Sequence, residues 1–397
     1  MNFNEVKQID TQFVMPTYGR SEICFEYGKN ATLFDKDNKS YIDFSSGIGV
    51  NSIGHANQAW VQAVTEQAKK LAHTSNLYYN EPAAKAAQTL AAAATFNGKA
   101  PKLFFANSGA EANEGMIKLA RKYSFDKYGA GRSTILTLVN SFHGRTITTL
   151  SATGQDSFHN YFFPFTDGFK YSEPIMEKVT ENLTGDVCAV MLECIQGEGG
   201  VFELNKSFVN ELVSYCKSKD ILILSDEVQT GIGRTGKMFG FEHYAFVPDC
   251  FTLAKGLGGG LPIGAVVAYN ELGDVLSAGM HGSTFGANPV SCAGVLAVLN
   301  IVVNLDFLNE VTKKGDFIKT ELLNADLPIK EIRGKGLMLG IEFESIDAKE
   351  LNKKLLVNKL VTLTAKTALR LLPPLTITEN ELKTGCHILI STIRNIL

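Results

Sequence analysis

The chain has 397 residues, with 38 basic and 41 acidic side chains and a formal net charge of −3. This length is enough for two domains, or for one large domain with a satellite, and for a sizeable core. The near balance of charge excludes the basic excess that is typical of proteins binding nucleic acids or anionic membranes. We therefore expect a small-molecule ligand or a protein partner.

The cysteine pattern and the apolar runs of the sequence indicate the cellular compartment of the protein. The seven cysteines are scattered, without a C-x-x-C pair or nearby metal-spaced histidines, so neither a disulfide scaffold nor a metal site is expected. The N-terminal "MNFNEVKQID" lacks the basic and apolar regions of a signal peptide. The apolar run 293–305 is too short to span a bilayer and predicts a buried helix. We expect a cytoplasmic protein that binds neither membrane nor nucleic acid.

Short apolar runs alternate with helical patterns along the middle of the chain. Strands are predicted near Phe104, Leu136, Val190, Leu224, Leu253 and Val267. A helix is predicted over 109–125, and a second one is predicted to begin at Pro289 with Asn288 as its cap. Such alternation is typical of an α/β domain with a mostly parallel sheet covered on both faces.

The two ends of the chain have more mixed and more charged patterns than the middle. Short strands occur in both, for example in "ATLFDKDNKSYIDF" and "GLMLGIEFES". We interpret residues 1–56 and 300–397 as two parts of one smaller α+β domain. That domain would pack beside a large domain formed by residues 57–299.

One lysine lies between an apolar strand and a glycine-rich turn. In "CFTLAKGLGGG", Lys255 directly follows the strand, and the glycines after it leave space for a ligand or a backbone to approach closely. A lone lysine is most often a solvated surface residue. A functional role for Lys255 is therefore indicated only if other strands also end in residues that could bind the same ligand.

Two other strand ends supply that support. Asp226 ends the apolar strand "ILILSD", and Ser108-Gly109-Ala110 lies where a strand meets a helix whose N-terminus favours a phosphate. In such sheets ligands bind outside the carboxyl ends of the strands. Pyridoxal phosphate needs a lysine, a carboxylate beside its ring nitrogen and a phosphate site. The sequence therefore predicts this cofactor, held by a Lys255 whose pKa is lowered by partial burial.

Two alternative classes of protein stay open at this point. The segment Gly231–Met238, "GIGRTGKM", fits both a dinucleotide-binding glycine pattern and the first seven positions of a phosphate-binding loop. It lacks the hydroxyl residue that binds magnesium and does not directly follow a strand, so its glycines are better interpreted as a loop beside the cofactor. A cofactor-free binding protein that keeps the fold is the other alternative.

Many ordered motifs resemble the class III aminotransferases of pyridoxal-phosphate fold type I, over nearly the whole chain. They are "VMPTYGR" (14–20), "HTSNLYYNEP" (73–82), "NSGAEANE" (107–114), "SFHGRT" (141–146), "QGEGG" (196–200), "DEVQTGIGRTG" (226–236), "TLAKGLGGG" (252–260), "HGSTFGANP" (281–289) and "LRLLPPL" (369–375). The resemblance implies a homodimer with shared active sites. Its N-terminal and "NLYY" motifs favour N-acetylornithine as amino donor over ornithine, succinylornithine, acetyllysine or 4-aminobutyrate.

The resemblance also assigns roles to residues of the site. It implies that Lys255 binds the cofactor covalently and that Asp226 contacts its ring nitrogen. The other implied cofactor contacts are the ring-stacking Phe142, the neighbouring Val228, Gln229 at the ring hydroxyl, Gly109 and Ala110 at the phosphate, and Thr284 from the partner subunit. Ala110 and Ala287 depart from the family, which commonly has threonine and glycine at these places.

For the substrates, the resemblance implies two carboxylate-binding arginines, Arg145 and Arg370. A guanidinium group suits this role because it can bind a carboxylate through two parallel hydrogen bonds. Glu198 would mask Arg370 while the amino donor is bound. Ser283 of the partner subunit would contact the donor.

Overall fold

The computed structural model describes residues 1–397. The helices are α1 (Phe3–Phe13), α2 (Ser46–Gly49), α3 (Gln58–Lys70), α4 (Glu81–Ala93), α5 (Gly109–Tyr128), α6 (Ile147–Ala152), α7 (Met176–Asn182), α8 (Lys206–Ser218), α9 (Pro289–Val302), α10 (Leu305–Leu323), α11 (Ala348–Val357) and α12 (Glu379–Arg394). Short 3₁₀ turns cover Asp156–Phe158, Gly240–Tyr244, Lys255–Gly258 and Asn270–Asp274.

The strands are β1 (Phe25–Lys29), β2 (Thr32–Asp35), β3 (Ser40–Asp43), β4 (Lys102–Ala106), β5 (Thr134–Leu138), β6 (Phe169–Ser172), β7 (Val187–Leu192), β8 (Ile195–Gln196), β9 (Phe202–Glu203), β10 (Leu222–Asp226), β11 (Cys250–Leu253), β12 (Gly264–Ala268), β13 (Ile329–Lys335), β14 (Met338–Phe343), β15 (Leu360–Val361), β16 (Leu363–Ala365) and β17 (Ala368–Leu371). All six predicted strands are present, and β6 is an additional strand that the sequence did not reveal.

A seven-stranded sheet forms the centre of the molecule, in the order β4-β12-β11-β10-β7-β5-β6. Only β12 runs antiparallel to its neighbours. Every residue of β5, β7, β10, β11 and β12 is buried, as expected for apolar strands covered on both faces. The predicted α/β class with a mostly parallel sheet is confirmed.

The two predicted helices begin where their caps predict. The Ser108 hydroxyl accepts the N–H of Glu111 at 3.2 Å at the start of α5. The Asn288 side chain accepts the N–H groups of Val290 and Ser291 at the start of α9, where Pro289 is the first helical residue.

No helix by itself has both the length and the apolar composition to cross a membrane. Only α9 and α10 taken together pass on length and composition, and they meet at a bend of 77°.

Segments from the two chain ends share a sheet. Strand β15 pairs in parallel with β3 in the order β1-β2-β3-β15, and β13-β14-β17-β16 forms a second small sheet. The Glu381 carboxylate on α12 accepts from Asn30, Ala31 and Thr32 near β2. These contacts agree with one smaller unit built from both ends, while its boundaries at residues 57 and 300 stay a prediction.

Candidate active site

The carboxyl ends of five strands meet at one edge of the large sheet. Because β12 is antiparallel to both β4 and β11, these two strands run in the same direction as β10, β7 and β5. Residues at or just after these ends are Gly109, Lys255, Asp226, Glu193 and Phe142, and all five line a cavity of about 440 Å³. The structure therefore brings the main predicted residues together where ligands bind in such sheets.

Lys255 opens the 3₁₀ turn that follows β11 and its side chain lines the cavity. Its φ of 42° lies in the left-handed region, which is unfavourable for a residue with a Cβ and is therefore maintained by the surrounding structure. Burial lowers the pKa of Lys255, whereas the nearby Glu198 carboxylate opposes that change. A larger fraction of Lys255 is therefore a neutral amine, and hence a nucleophile, than for a solvated lysine.

The Asp226 carboxylate is held rigidly in the cavity wall. Its Oδ2 accepts from Asn113 Nδ2 at 2.8 Å and lies 2.8 Å from His143 Nδ1, while its Oδ1 accepts the N–H of Val228 at 3.0 Å. The side chain is only 4% exposed. Asp226 thus holds its carboxyl group in a fixed position at the cavity wall, where a cationic group of a ligand could pair with it.

Asn113 and His143 are site residues that the sequence reasoning missed. Asn113 is fixed by the Thr252 hydroxyl, which donates to its Oδ1 at 2.7 Å, and by its own donation to the backbone carbonyl of His143 at 2.7 Å. Two signals could have found them. Asn113 follows Gly109 by one helical turn, and His143 directly follows Phe142.

Glu193 is a third missed residue, although it directly follows β7 and the strand-end rule applies to it. Its Oε1 accepts the N–H of Phe142 at 2.9 Å and its Oε2 accepts the N–H of Gly197 at 3.2 Å. Burial, and next the Asp226 carboxylate, raise the pKa of Glu193 well above its ordinary value. Through its two hydrogen bonds, Glu193 ties the loop that carries Phe142 to the loop that carries Gly197.

The predicted phosphate site is the N-terminus of α5, where Gly109 and Ala110 lie at the cavity. First-turn N–H groups of a helix lack intrahelical acceptors and favour an anion. Close packing holds this turn in place. A Cβ on Gly264, the first residue of β12, would lie 2.3 Å from the carbonyl oxygen of Ser108, and one on Gly109 would lie 2.7 Å from Val228 Cγ1.

Arg370 and Glu198 form an ion pair beside the cavity, with Arg370 Nη1 2.7 Å from Glu198 Oε1. Arg370 is 3% exposed, and the same Nη1 donates to Gln229 Oε1 at 3.1 Å. Burial alone would raise the pKa of Glu198, but the Arg370 guanidinium and the Lys255 ammonium lower it below its ordinary value. The pair is therefore charged at neutral pH, and Arg370 Nε is buried without a partner.

Arg145 also lines the cavity, and its side chain is exposed. Its guanidinium lies over the rings of Phe158, at 4.3 Å, and Phe142, at 5.5 Å. Two arginines, one free and one masked by an acid, therefore border the same site. Such an arrangement suits a reaction whose substrates carry one or two carboxylates.

Ser283 and Thr284 do not reach the cavity of their own chain. They line a separate cavity of about 740 Å³ together with Ser75, Asn76 and Phe105. Their assignment to the site of a partner subunit stays a prediction.

The competing segment Gly231–Met238 does not have the structure of a phosphate-binding loop. It forms buried turns after β10, and no helix begins at its lysine. Arg234 donates from it to the backbone carbonyls of Leu337 and Pro373, so it packs against the C-terminal part of the chain. None of these eight residues lines the cavity, and the position of this loop beside the cofactor stays a prediction.

The residues present fit pyridoxal phosphate. The Asp226 carboxylate is hydrogen-bonded to Asn113 and lies 2.8 Å from His143 Nδ1, and Glu198 pairs with Arg370, so the Lys255 amine remains available for an aldehyde. A buried carboxylate lies at the same cavity wall, and the N-terminus of α5 can bind a phosphate. These are the three groups that the cofactor requires.

Comparison with known proteins decides the family. The family model described as aminotransferase class-III matches residues 14–393. The chain belongs to this family. Class-III aminotransferases transfer amino groups with pyridoxal phosphate, so the predictions of family, fold and enzyme class are confirmed.

Curated class-III relatives match along nearly their whole length. The acetylornithine aminotransferase of Haemophilus ducreyi is 48% identical over 393 residues, which is 98% of each chain. That of Bacillus subtilis is 45% identical over 372 residues, covering 92% of this chain and 94% of the relative.

Solved structures of aminotransferases share the fold. Ornithine aminotransferase from Toxoplasma gondii has a TM-score of 0.93 at 30% identity, covering 100% of this chain and 96% of that one. N-acetylornithine aminotransferase from Stenotrophomonas maltophilia has a TM-score of 0.84 at 31% identity, covering 98% of both. Both substrate types occur among structures of this shape, so shape alone does not select the donor.

Proposed function

We propose that this class-III aminotransferase moves the terminal amino group of N2-acetyl-L-ornithine to 2-oxoglutarate. The products are N-acetyl-L-glutamate 5-semialdehyde and L-glutamate, which places the enzyme in arginine biosynthesis. The observation that carries the proposal is the placement of two arginines. Arg145 lines the cavity, whereas Arg370 pairs with Glu198 and donates to Gln229, which lines the same cavity. The names of the relatives, at 43–48% identity, support the acetylated donor.

Pyridoxal phosphate, when bound, supplies an aldehyde that captures amines and a protonated ring that accepts electrons. Lys255 would hold it covalently, and Asp226 would keep a proton on the ring nitrogen through its fixed negative charge. The other residues proposed to contact it are Phe142 and Val228 at the ring faces, Gln229 at the ring hydroxyl, Gly109 and Ala110 at the phosphate, and Thr284 of a second copy.

Lys255 is also the proposed general base and acid. Once the donor amine has replaced it, its Nζ would be free to take a proton from the donor carbon that bears the amine. It would return that proton to the former aldehyde carbon of the cofactor, two bonds away across the transferred nitrogen. A lowered pKa assists this role because the amine must be neutral to accept the proton.

The two half-reactions would use the arginines differently. Arg145 would bind the carboxylate of N-acetylornithine while Glu198 masks Arg370. For the dicarboxylate 2-oxoglutarate, Glu198 would move away and leave Arg370 to bind the second carboxylate. One cavity can then serve a ping-pong reaction with two unlike substrates.

The Glu198→Gln variant should change the balance between the two substrates. The amide lacks the charge that masks Arg370, so we expect a lower KM for 2-oxoglutarate and a higher KM for N-acetylornithine. Roughly tenfold changes would correspond to about 1.4 kcal/mol each. Steady-state kinetics with each substrate varied in turn checks this.

A matched control is Glu331→Gln, because Glu331 pairs with Arg333 at 2.8 Å in β13, away from the cavity. Both KM values should stay at the wild-type level in this variant. Equal changes in the two glutamate variants would contradict the masking role.

We also propose that two copies form a dimer with shared active sites. Supporting this, Ser283 and Thr284 lie outside their own cavity, and the nearby Leu77 and Tyr79 are highly exposed apolar side chains. Light scattering should give about twice the chain mass of 43.2 kDa. A monomer with full activity would contradict the proposal.

The donor assay tests the proposed function. Purified enzyme with pyridoxal phosphate and 2-oxoglutarate is offered N-acetylornithine, ornithine, succinylornithine, acetyllysine and 4-aminobutyrate separately, and glutamate formation is measured. We expect the highest kcat/KM for N-acetylornithine. A higher kcat/KM for another donor would replace the proposed substrate but not the enzyme class.

A further inference from the structure

Arg145 is positioned by aromatic rings instead of by an acid. Its guanidinium carbon lies 4.3 Å from the ring centre of Phe158 and 5.5 Å from that of Phe142. The Glu198 carboxylate pairs with Arg370, and the Asp226 carboxylate contacts Asn113 and His143, so neither acid pairs with Arg145. Since an aromatic face attracts a cation without neutralising it, the charge of Arg145 stays available for a ligand.

The ring of Phe158 is itself fixed relative to the cavity. It packs edge-on against Phe142, with ring centres 5.8 Å apart and an interplanar angle of 67°. Phe158 ends the turn Asp156–Phe158, and its N–H donates to the carbonyl of Gln155 at 3.1 Å. The Gln155 side chain donates to the carbonyl of Ser141 at 3.0 Å, which ties this turn to the loop that carries Phe142 and Arg145.

We propose that Phe158 is a positioning residue that sets the orientation of Arg145 and thereby the preference for carboxylate-bearing amino donors. This inference rests on the proposed function only in that Arg145 binds the donor carboxylate. An exposed arginine loses rotamer freedom when it binds a ligand. The Phe158 ring restricts that freedom in advance, so less binding energy is lost.

The Phe158→Leu variant tests this. The lost cation–π contact should raise the KM for N-acetylornithine roughly two- to fivefold. The kcat at saturating substrate should stay unchanged, because Arg145 does not touch the reacting carbon. The Phe158→Tyr variant keeps an aromatic face and should restore the wild-type KM.

A donor without the carboxylate separates positioning from a general structural effect. N-acetyl-1,4-diaminobutane has the same chain and the same amine as N-acetylornithine but lacks that group. Its kcat/KM should be equal in wild type and Phe158→Leu. An equal loss with both donors would overturn the inference.

A double-mutant cycle gives the sharpest result. In an Arg145→Gln background, Phe158→Leu should have no further effect on the KM for N-acetylornithine. Independent, multiplicative effects of the two substitutions would overturn the inference. Phe169→Leu is the matched control, because Phe169 packs under Arg121 at 5.1 Å away from the site, and its KM should equal the wild-type value.

The wild-type enzyme distinguishes failure of the proposed function from failure of this inference. If it uses ornithine and not N-acetylornithine, the proposed donor is wrong. The cycle is then run with ornithine, which carries the same carboxylate, and with 1,4-diaminobutane as its decarboxylated counterpart. No further effect of Phe158→Leu in the Arg145→Gln background would support the role of Phe158. Independent effects of the two substitutions would overturn it.

Discussion

Lys255→Ala should lower kcat by roughly 10⁴-fold, because one substitution removes both the covalent attachment and the proton-transferring amine. Lys255 lines the cavity, and neither Glu198, which pairs with Arg370, nor Asp226, which contacts Asn113 and His143, is bonded to it. The fold should therefore tolerate its loss. Alanine also keeps a Cβ, so the left-handed φ of 42° costs the same in both proteins. Steady-state glutamate formation measures the loss.

Lys237→Ala is the control for this variant. Lys237 is exposed in the glycine-rich segment that resembles a phosphate-binding loop. Its removal should leave kcat and KM unchanged. Unchanged turnover in Lys255→Ala would contradict the assignment of Lys255, and a large loss in Lys237→Ala would favour the nucleotide-binding alternative.

Asp226→Asn should lower kcat by roughly 10²- to 10³-fold, the usual effect of removing one preorganised electrostatic group. The amide has nearly the same shape but no negative charge, so a proton on the cofactor ring nitrogen would lose its stabilisation. It also offers N–H groups to Asn113 and His143, which already direct nitrogens at this carboxylate. Single-turnover kinetics with N-acetylornithine measures the effect.

Glu227→Gln is the matched control at the adjacent residue. Glu227 is fully buried and points into the core, where it accepts from Ser225, Thr230 and the N–H groups of Gly240 and Phe241. Its substitution should lower Tm and leave the kcat of the folded enzyme unchanged. The assignment of Asp226 fails if Asp226→Asn loses only thermal stability.

The sequence predicted the sheet and its edge because both have local signals. Apolar runs in β5, β7 and β10 are buried on both faces, and their carboxyl ends must meet when the strands are parallel. Lys255 and Asp226 were identifiable because each lies at such an end. Gly109 was identifiable because a capped helix begins there.

Other parts of the site have no comparable local signal. Asn113 projects from the interior of α5 towards Asp226, 113 residues later in the sequence, and only the packed fold joins them. The 3₁₀ turn that carries Phe158 lies in a segment without regular periodicity. The antiparallel direction of β12, which lets Gly264 pack against Ser108, is set by pairing with β4 and β11.

The visible absorbance of the enzyme loaded with pyridoxal phosphate tests the central claim most directly. N-acetylornithine is added without an acceptor, and 2-oxoglutarate is added afterwards, with Lys255→Ala measured in parallel. We predict that the absorbance of the bound cofactor is lost with the donor and returns with 2-oxoglutarate in the wild-type enzyme only. An enzyme that does not retain the cofactor on dialysis, or whose absorbance neither substrate changes, would contradict the account.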